Sequence, residues 1–210
     1  VFDALEYIGS KMEMDRLNIV DGRIDLTSKD NTQLQLQNAT LSIESHSLLN
    51  SRKIAAIEQS VNELHFSNGI IKTNDLTVQL RDVHYTGTSG NLLAGKIQLL
   101  NRQKTISAVA ESISLNEMQV NDSTGNIAIN GIQWKQADVK IIAQEGNQDK
   151  NSFASSIDLK NINGGNTTIN ITVGERSVTS FLKTISLNEL QKQPGKKLQF
   201  EKLFAEGKKL

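Results

Sequence analysis

Residues 76–80 read LTVQL and residues 169–173 read INITV. In both, apolar and polar residues alternate with a period of two. In an extended chain that beat sends one set of side chains to one face and the other set to the opposite face. The same beat runs through Leu34-Gln-Leu36, Leu41-Ser-Ile43 and Ile127-Ala-Ile129. The reading is a mainly β chain: repeated antiparallel modules that form a long curved sheet or a sandwich, with one face greasy and one polar.

Glycine-containing pairs punctuate the runs. Asp21-Gly22, Asn68-Gly69 and Asn130-Gly131 form one set, and Gly90-Asn91, Gly125-Asn126 and Gly165-Asn166 a second. Such pairs tolerate positive φ, so each predicts a tight turn between strands. The single proline, Pro194, removes at most one donor from the ladders. Two stretches break the beat: Phe2, Leu5, Ile8 and Met12 over residues 2–12, and Ile54, Ile57, Val61 and Leu64 over residues 53–64. Their helical spacing predicts two short amphipathic helices that cover a sheet end or edge.

The chain also repeats itself. ISLNEMQ (113–119) and ISLNELQ (185–191) differ at one position, and the likeness extends backward at the same offset to residues 95–112 and 167–184. A fainter copy falls at residues 33–44. A second echo links LNIVDGRI (17–24), LHFSNGII (64–71) and AINGIQ (128–133), read as strand, glycine turn, strand. Residues 1–210 are therefore one β-rich region built from a recurring module whose neighbours bury the face that no module buries alone.

Composition narrows the function. Lys plus Arg equals Asp plus Glu at 23 each, and the lysine pairs 196–197 and 208–209 are too short for a phosphate-binding stripe, so nucleic acid is not an expected partner. The absence of cysteine removes disulfides, thiolate metal sites and thiol nucleophiles. No apolar run approaches the length of a membrane span. The start at Val1 reads as a piece of a longer or processed protein.

Candidate chemistry is sparse. His46, His65 and His84 are evenly spaced, which would stack them on successive hairpins and suggests metal binding. With no fourth ligand at a fixed spacing, surface histidines are the favoured reading, and no metal or cofactor is assigned. Asp25, Glu44, Asp75, Asp82, Glu111, Asp138 and Asp158 fall on polar beats or at turns, and no acid–base pair or serine elbow can be named. No catalytic residue is assigned and an enzyme is not expected. Trp134, the only tryptophan, shares its strand face with Ile132 and reads as core.

The run LTVQLRDVHYTGTSGNLLAGKIQLLNRQKTISAVAESISLNEM (76–118), with LNIVDGRIDL and LHFSNGIIK, resembles the AsmA-like proteins of Gram-negative envelopes. The resemblance covers about two thirds of the chain. It implies a large periplasmic protein anchored by a transmembrane helix that lies outside this chain, associated with outer-membrane assembly and with carrying lipids along an apolar β-groove. It carries no catalytic residues. On this reading Leu76, Val78, Leu80, Ile97, Leu99, Ile113 and Leu115 share one apolar face, packed against a second sheet or facing lipid acyl chains. The alternative is a structural or adhesive repeat, a β-helix or sandwich spacer at the cell surface.

Overall fold

The computed structural model describes residues 16–27, 31–44, 61–121, 126–143, 156–193 and 199–207. These form one twelve-stranded sheet. Its strands are β1 (Arg16–Thr27), β2 (Gln33–Glu44), β3 (Val61–Lys72), β4 (Leu76–Thr86), β5 (Asn91–Asn101), β6 (Ile106–Leu115), β7 (Gln119–Asn121), β8 (Asn126–Trp134), β9 (Gln136–Ala143), β10 (Ile157–Val173), β11 (Arg176–Lys192) and β12 (Gln199–Gly207). Neighbours follow the order β1-β2-β3-β4-β5-β6-β8-β10-β11-β12, with β7 beside β8, and β9 between β6 and β10. Every pairing is antiparallel except that of β10 with β8 and β9. The mainly antiparallel sheet expected from the period-two runs is present.

Short strands here are segments of longer ones. β6 and β7 face β9 and β8 without a slip in register from Ile106↔Ile141 through Leu115↔Ile132 to Asn121↔Asn126. β10 then runs beside both β8 and β9, from Ile157↔Ile127 to Val173↔Ala143.

What interrupts them is an extra residue in the beat. Apolar positions step by three along one line across the sheet: Leu36 to Ala39, Phe66 to Gly69, Leu80 to Val83, Ala94 to Ile97, Ala110 to Ile113 and Trp134 to Ala137. Between them sit Gln37-Asn38, Ser67-Asn68, Arg81-Asp82, Gly95-Lys96, Glu111-Ser112 and Lys135-Gln136. Registers place these pairs side by side, so they form a crease across the sheet. Asn38, Asp82 and Ser112, on alternate strands, take φ of 51°, 50° and 53°. Short polar residues enter the left-handed region at modest cost. Asn166 (φ 38°) continues the line on β10. A second crease, through Glu117, Gly131, Asn161 and Lys202, crosses the later strands and also carries positive φ.

The creases close toward the apolar side. A Cβ added at Gly69 would lie 2.5 Å from the Phe66 ring, and one at Gly22 would lie 2.6 Å from Ile19 Cγ2. Side chains three apart in an ordinary strand point to opposite faces; here they meet over the bend. The dry core therefore follows the crease: Leu36, Ala39, Phe66, Val83, Ala94 and Ile113 are buried, with Leu34, Leu64, Leu80, Leu92, Ile97, Leu115 and Trp134 packed against them.

Several sequence-based expectations need correction. Asp21-Gly22, Asn68-Gly69, Asn130-Gly131 and Gly165-Asn166 lie inside β1, β3, β8 and β10 and make creases, not hairpin turns. The residue types are right because both features demand the same backbone freedom. Gly90-Asn91 does close the β4–β5 turn, with Gly90 at φ 63°; Asn126 opens β8, and Gly125 lies outside the described residues. No helix occurs among the described residues. Val61 and Leu64, expected on a helix over 53–64, begin β3 opposite Ile43 and Leu41, where a register shift supplies the step of three. Apolar spacing of three is shared by a helix and a bulged strand. The remainder of that segment, and residues 2–12, lie outside the described residues.

The two repeat copies cross the same creases. Glu111-Ser112 and Asn116-Glu117 correspond at one offset to Lys183-Thr184 and Asn188-Glu189 on β11. β11 runs through unbroken, whereas Glu117 (φ 50°) separates β6 from β7.

Asp82 tests the crease. Its φ of 50° disfavours a β-branched side chain, and it lies against Gly95 across the ladder. Asp82→Val is expected to lower stability by about 1–2 kcal/mol and Asp82→Gly to be near neutral. Urea midpoints at unchanged m-value measure both.

Candidate functional site: an apolar trough

Bent along the creases, the sheet presents one continuous apolar surface. It begins on β1 with Ile19, Ile24 and Leu26 and ends on β12 with Phe200, Leu203 and Ala205. By alternation and register the only charged residues on it, among the described residues, are Arg176 and Lys192, at the two ends of β11. Ten strands stand along the path of the crease; at roughly 4.8 Å per strand this makes a trough about 45 Å long.

All seven apolar residues named from the sequence lie on this face. Val78 stands opposite Leu99, and Leu80 opposite Ile97; Ile113 stands opposite Ala94, and Leu115 opposite Leu92. Ile113 is buried in the floor as part of the core cluster, and Leu80, Ile97 and Leu115 pack against that cluster. Leu76, Val78 and Leu99 are half-buried higher on the wall. Among the described residues no second sheet covers them. Toward β12 the surface is open: Phe200 and Leu203 are 63% and 55% exposed.

One polar cluster interrupts the floor, and it is internally satisfied. The Trp134 indole lies over Gly164 of β10, where a Cβ would collide with the ring. Trp134 Nε1 donates to Thr167 Oγ1 at 2.9 Å, and Thr167 Oγ1 donates to the Gly165 carbonyl at 3.0 Å. Thr167 is buried. Trp134 packs against the core as its position beside Ile132 suggested. Gly164 and Thr167 were not legible as its partners, because only the parallel β8–β10 register brings them together.

The opposite face carries the polar residues. Lys96 Nζ lies 3.4 Å from Glu111 Oε1, and Lys160 Nζ 3.5 Å from Asp158 Oδ2 and 3.6 Å from Glu189 Oε1. An amide ladder follows the second crease: Asn130 Nδ2 donates to Glu117 Oε2 at 2.8 Å, and Asn161 Nδ2 to Asn130 Oδ1 at 2.7 Å. The carboxylates considered from the sequence are dispersed. Asp25 pairs with Arg23, Glu44 ends β2, Asp75 sits in the β3–β4 turn, Asp82 is in the crease and Asp138 is exposed on β9. Asp158 Oδ1 is buried without a hydrogen-bond partner. Among the described residues no group of three or more His, Asp or Glu stands ready to hold a metal ion. His65 and His84 do face one another on this surface; His46 lies outside the described residues.

Comparison of the chain with models of protein families, with curated proteins and with solved structures finds no match. The trough's own chemistry therefore carries the functional reading.

The Trp134–Thr167 contact is testable by a double-mutant cycle. Trp134→Phe and Thr167→Val each remove the same hydrogen bond, so their combined effect is expected to fall short of the sum by about 0.5–1.5 kcal/mol. Additive denaturation free energies would assign the bond no energetic role.

Proposed function

We propose that this chain is a non-enzymatic lipid-handling module that holds acyl chains along the trough. The observation that carries the proposal is the apolar face, charged only at Arg176 and Lys192 among the described residues, continuous across the sheet and left without a second sheet among those residues. Hydrocarbon needs no special residue for recognition: each methylene moved from water onto such a surface gains about 0.8 kcal/mol. A chain lying along the crease meets aliphatic side chains from one strand after another. The polar head stays at the rim, where the ionic residues of the other face begin.

The AsmA-like resemblance supplies the setting. On that reading the chain works in the periplasm as part of a larger membrane-anchored envelope protein, supporting outer-membrane assembly or the passage of lipid between membranes. A second reading, a structural or adhesive spacer, draws on the dry row from Leu36 to Ile113, which gives the sheet a core without any ligand.

The deciding experiment is mass spectrometry of the organic extract from protein made in a Gram-negative host and purified without detergent, beside an unrelated β-sandwich. Phospholipid near one or more per chain, above the control, is expected; an empty extract selects the spacer. Val78→Asp and Leu99→Asp put a carboxylate on half-buried wall positions away from the core cluster. A carboxylate against hydrocarbon costs about 2.5–3.5 kcal/mol, so lipid affinity should fall by roughly sixtyfold to three-hundredfold. Unchanged lipid content in correctly folded variants would place the ligand elsewhere.

A further inference from the structure

β12 ends the sheet on one side, and among the described residues no strand pairs with its outer edge. An open edge presents backbone N–H and C=O groups that a further strand completes. All 9 residues of β12 are exposed. Phe200 and Leu203 stand opposite Leu190 and Leu187 on the apolar face, where the trough uses them. Phe204, however, stands opposite Ser186 on the polar face and is 63% exposed. The trough gives it no role. Lys202 and Glu206, of opposite charge, stand two residues to either side of it. The other edge of the sheet has no such aromatic: β1 carries Arg23 and Asp25 on its polar face, paired with each other at 2.6 Å.

We propose that the β12 edge docks a second copy of this chain, β12 against β12, in an antiparallel register centred on Phe204. A second copy that keeps its apolar face on the same side is rotated by half a turn about the sheet normal, which reverses its strands and brings like edge to like edge. The two-fold axis then passes where one residue faces itself. Centred on Phe204, the register sets the two Phe204 rings side by side, Leu203 opposite the partner's Ala205 on the apolar face, and Lys202 opposite the partner's Glu206, twice over. Centring on Leu203 or Ala205 instead sets Phe204 against Lys202 or Glu206, and centring on Lys202 opposes two lysines. Both charges are available: Lys202 has no ion-pair partner among the described residues, and Glu206 has only a 4.0 Å contact with the exposed Lys183 and one of 3.5 Å with Thr184. The creases agree as well. On β12 the second crease falls at Glu201-Lys202 and the first at Glu206-Gly207, level with the extra residue of β11 between Leu182 and Thr184. The same register sets Glu201-Lys202 of one copy beside the first-crease level of the other, so each bend runs on into a bend. The path of ten strands doubles, and at roughly 4.8 Å per strand the apolar face reaches about 90 Å. The pairing does not depend on what the trough holds.

Sedimentation velocity of the full chain over a concentration series tests the edge pairing. One edge strand makes a smaller contact than a standard protein interface, so the 23.1 kDa chain should pass from monomer to dimer with a Kd of about 1–100 μM. Lys202→Glu and Glu206→Lys each oppose like charges at two places and should weaken the dimer by about tenfold or more, whereas the double swap should return it to within about threefold of the original. All three variants change exposed side chains, and circular dichroism checks that the sheet persists. The chain has no cysteine, so single thiols report the register directly. Residues directly opposed across an antiparallel pair have Cβ atoms about 4.5–5.5 Å apart, within small adjustment of disulfide geometry. Phe204→Cys should therefore form a covalent dimer under mild oxidation, and Val20→Cys on β1 should not. A chain that stays monomeric up to about 200 μM, a dimer that both single charge variants leave at full strength, or cross-linking through Val20→Cys instead of Phe204→Cys would overturn the proposal.

Discussion

The structure depends on one constraint: the sheet is bent without its ladders losing register. A bend in a single strand needs an extra residue, and an extra residue in one strand alone shifts its pairing and turns later side chains to the wrong face. Here almost every strand carries the extra residue at the same level. Arg81-Asp82 on β4 meets Gly95-Lys96 on β5, which meets Glu111-Ser112 on β6, and the apolar positions beyond the bend return to the face they left. Left-handed residues on alternate strands supply the bend, and the apolar residues beside them fill its inside.

Packing follows from that geometry. A flat single sheet cannot bury its own side chains deeply, because nothing stands above them. Val83, only 1% exposed, is enclosed because the crease folds Leu80, Ala94 and neighbouring walls toward it. The bend thus gives the sheet a core row and leaves the walls half-buried. A core that follows the crease and a surface that no second sheet covers among the described residues are two consequences of one deformation, and they are what make both a lipid trough and a self-supporting spacer physically reasonable.

The internal repeat has the same origin. The strand that crosses both creases must place a polar pair at each of two levels and aliphatics between and beside them. ISLNEMQ and ISLNELQ satisfy those demands around the second crease in β6–β7 and in β11. Their local conformations differ slightly, since Glu117 takes positive φ while β11 continues. Against β10, the second copy has an unbroken partner along its whole length; the first reaches its level where β5 has already turned at Gly90 and Asn91, and Met118 N donates to the Gly90 carbonyl.

How much was legible turns on what period-two patterns encode. The alternation in Leu76-Thr-Val78-Gln-Leu80 determines an extended strand with one apolar face, because pleating leaves no other way to segregate those side chains. The shared face of Leu80, Ile97 and Ile113 follows from the same rule. The step of three from Leu80 to Val83 is equally visible in the sequence, yet it fits a turn, a helix or a bulge, and Asn-Gly or Asp-Gly beside such a step fits the first as well as the last. Only the registers decide, because a crease exists only when neighbouring strands carry their extra residues at one level. Tertiary structure likewise placed Trp134 over Gly164 and His65 opposite His84: the even histidine spacing is written in the chain, but the β3–β4 ladder makes those two rings neighbours. Which side chains share a face is written in the chain through local backbone geometry; which of them meet across strands, and toward which side the sheet closes, arose from pairing between distant segments.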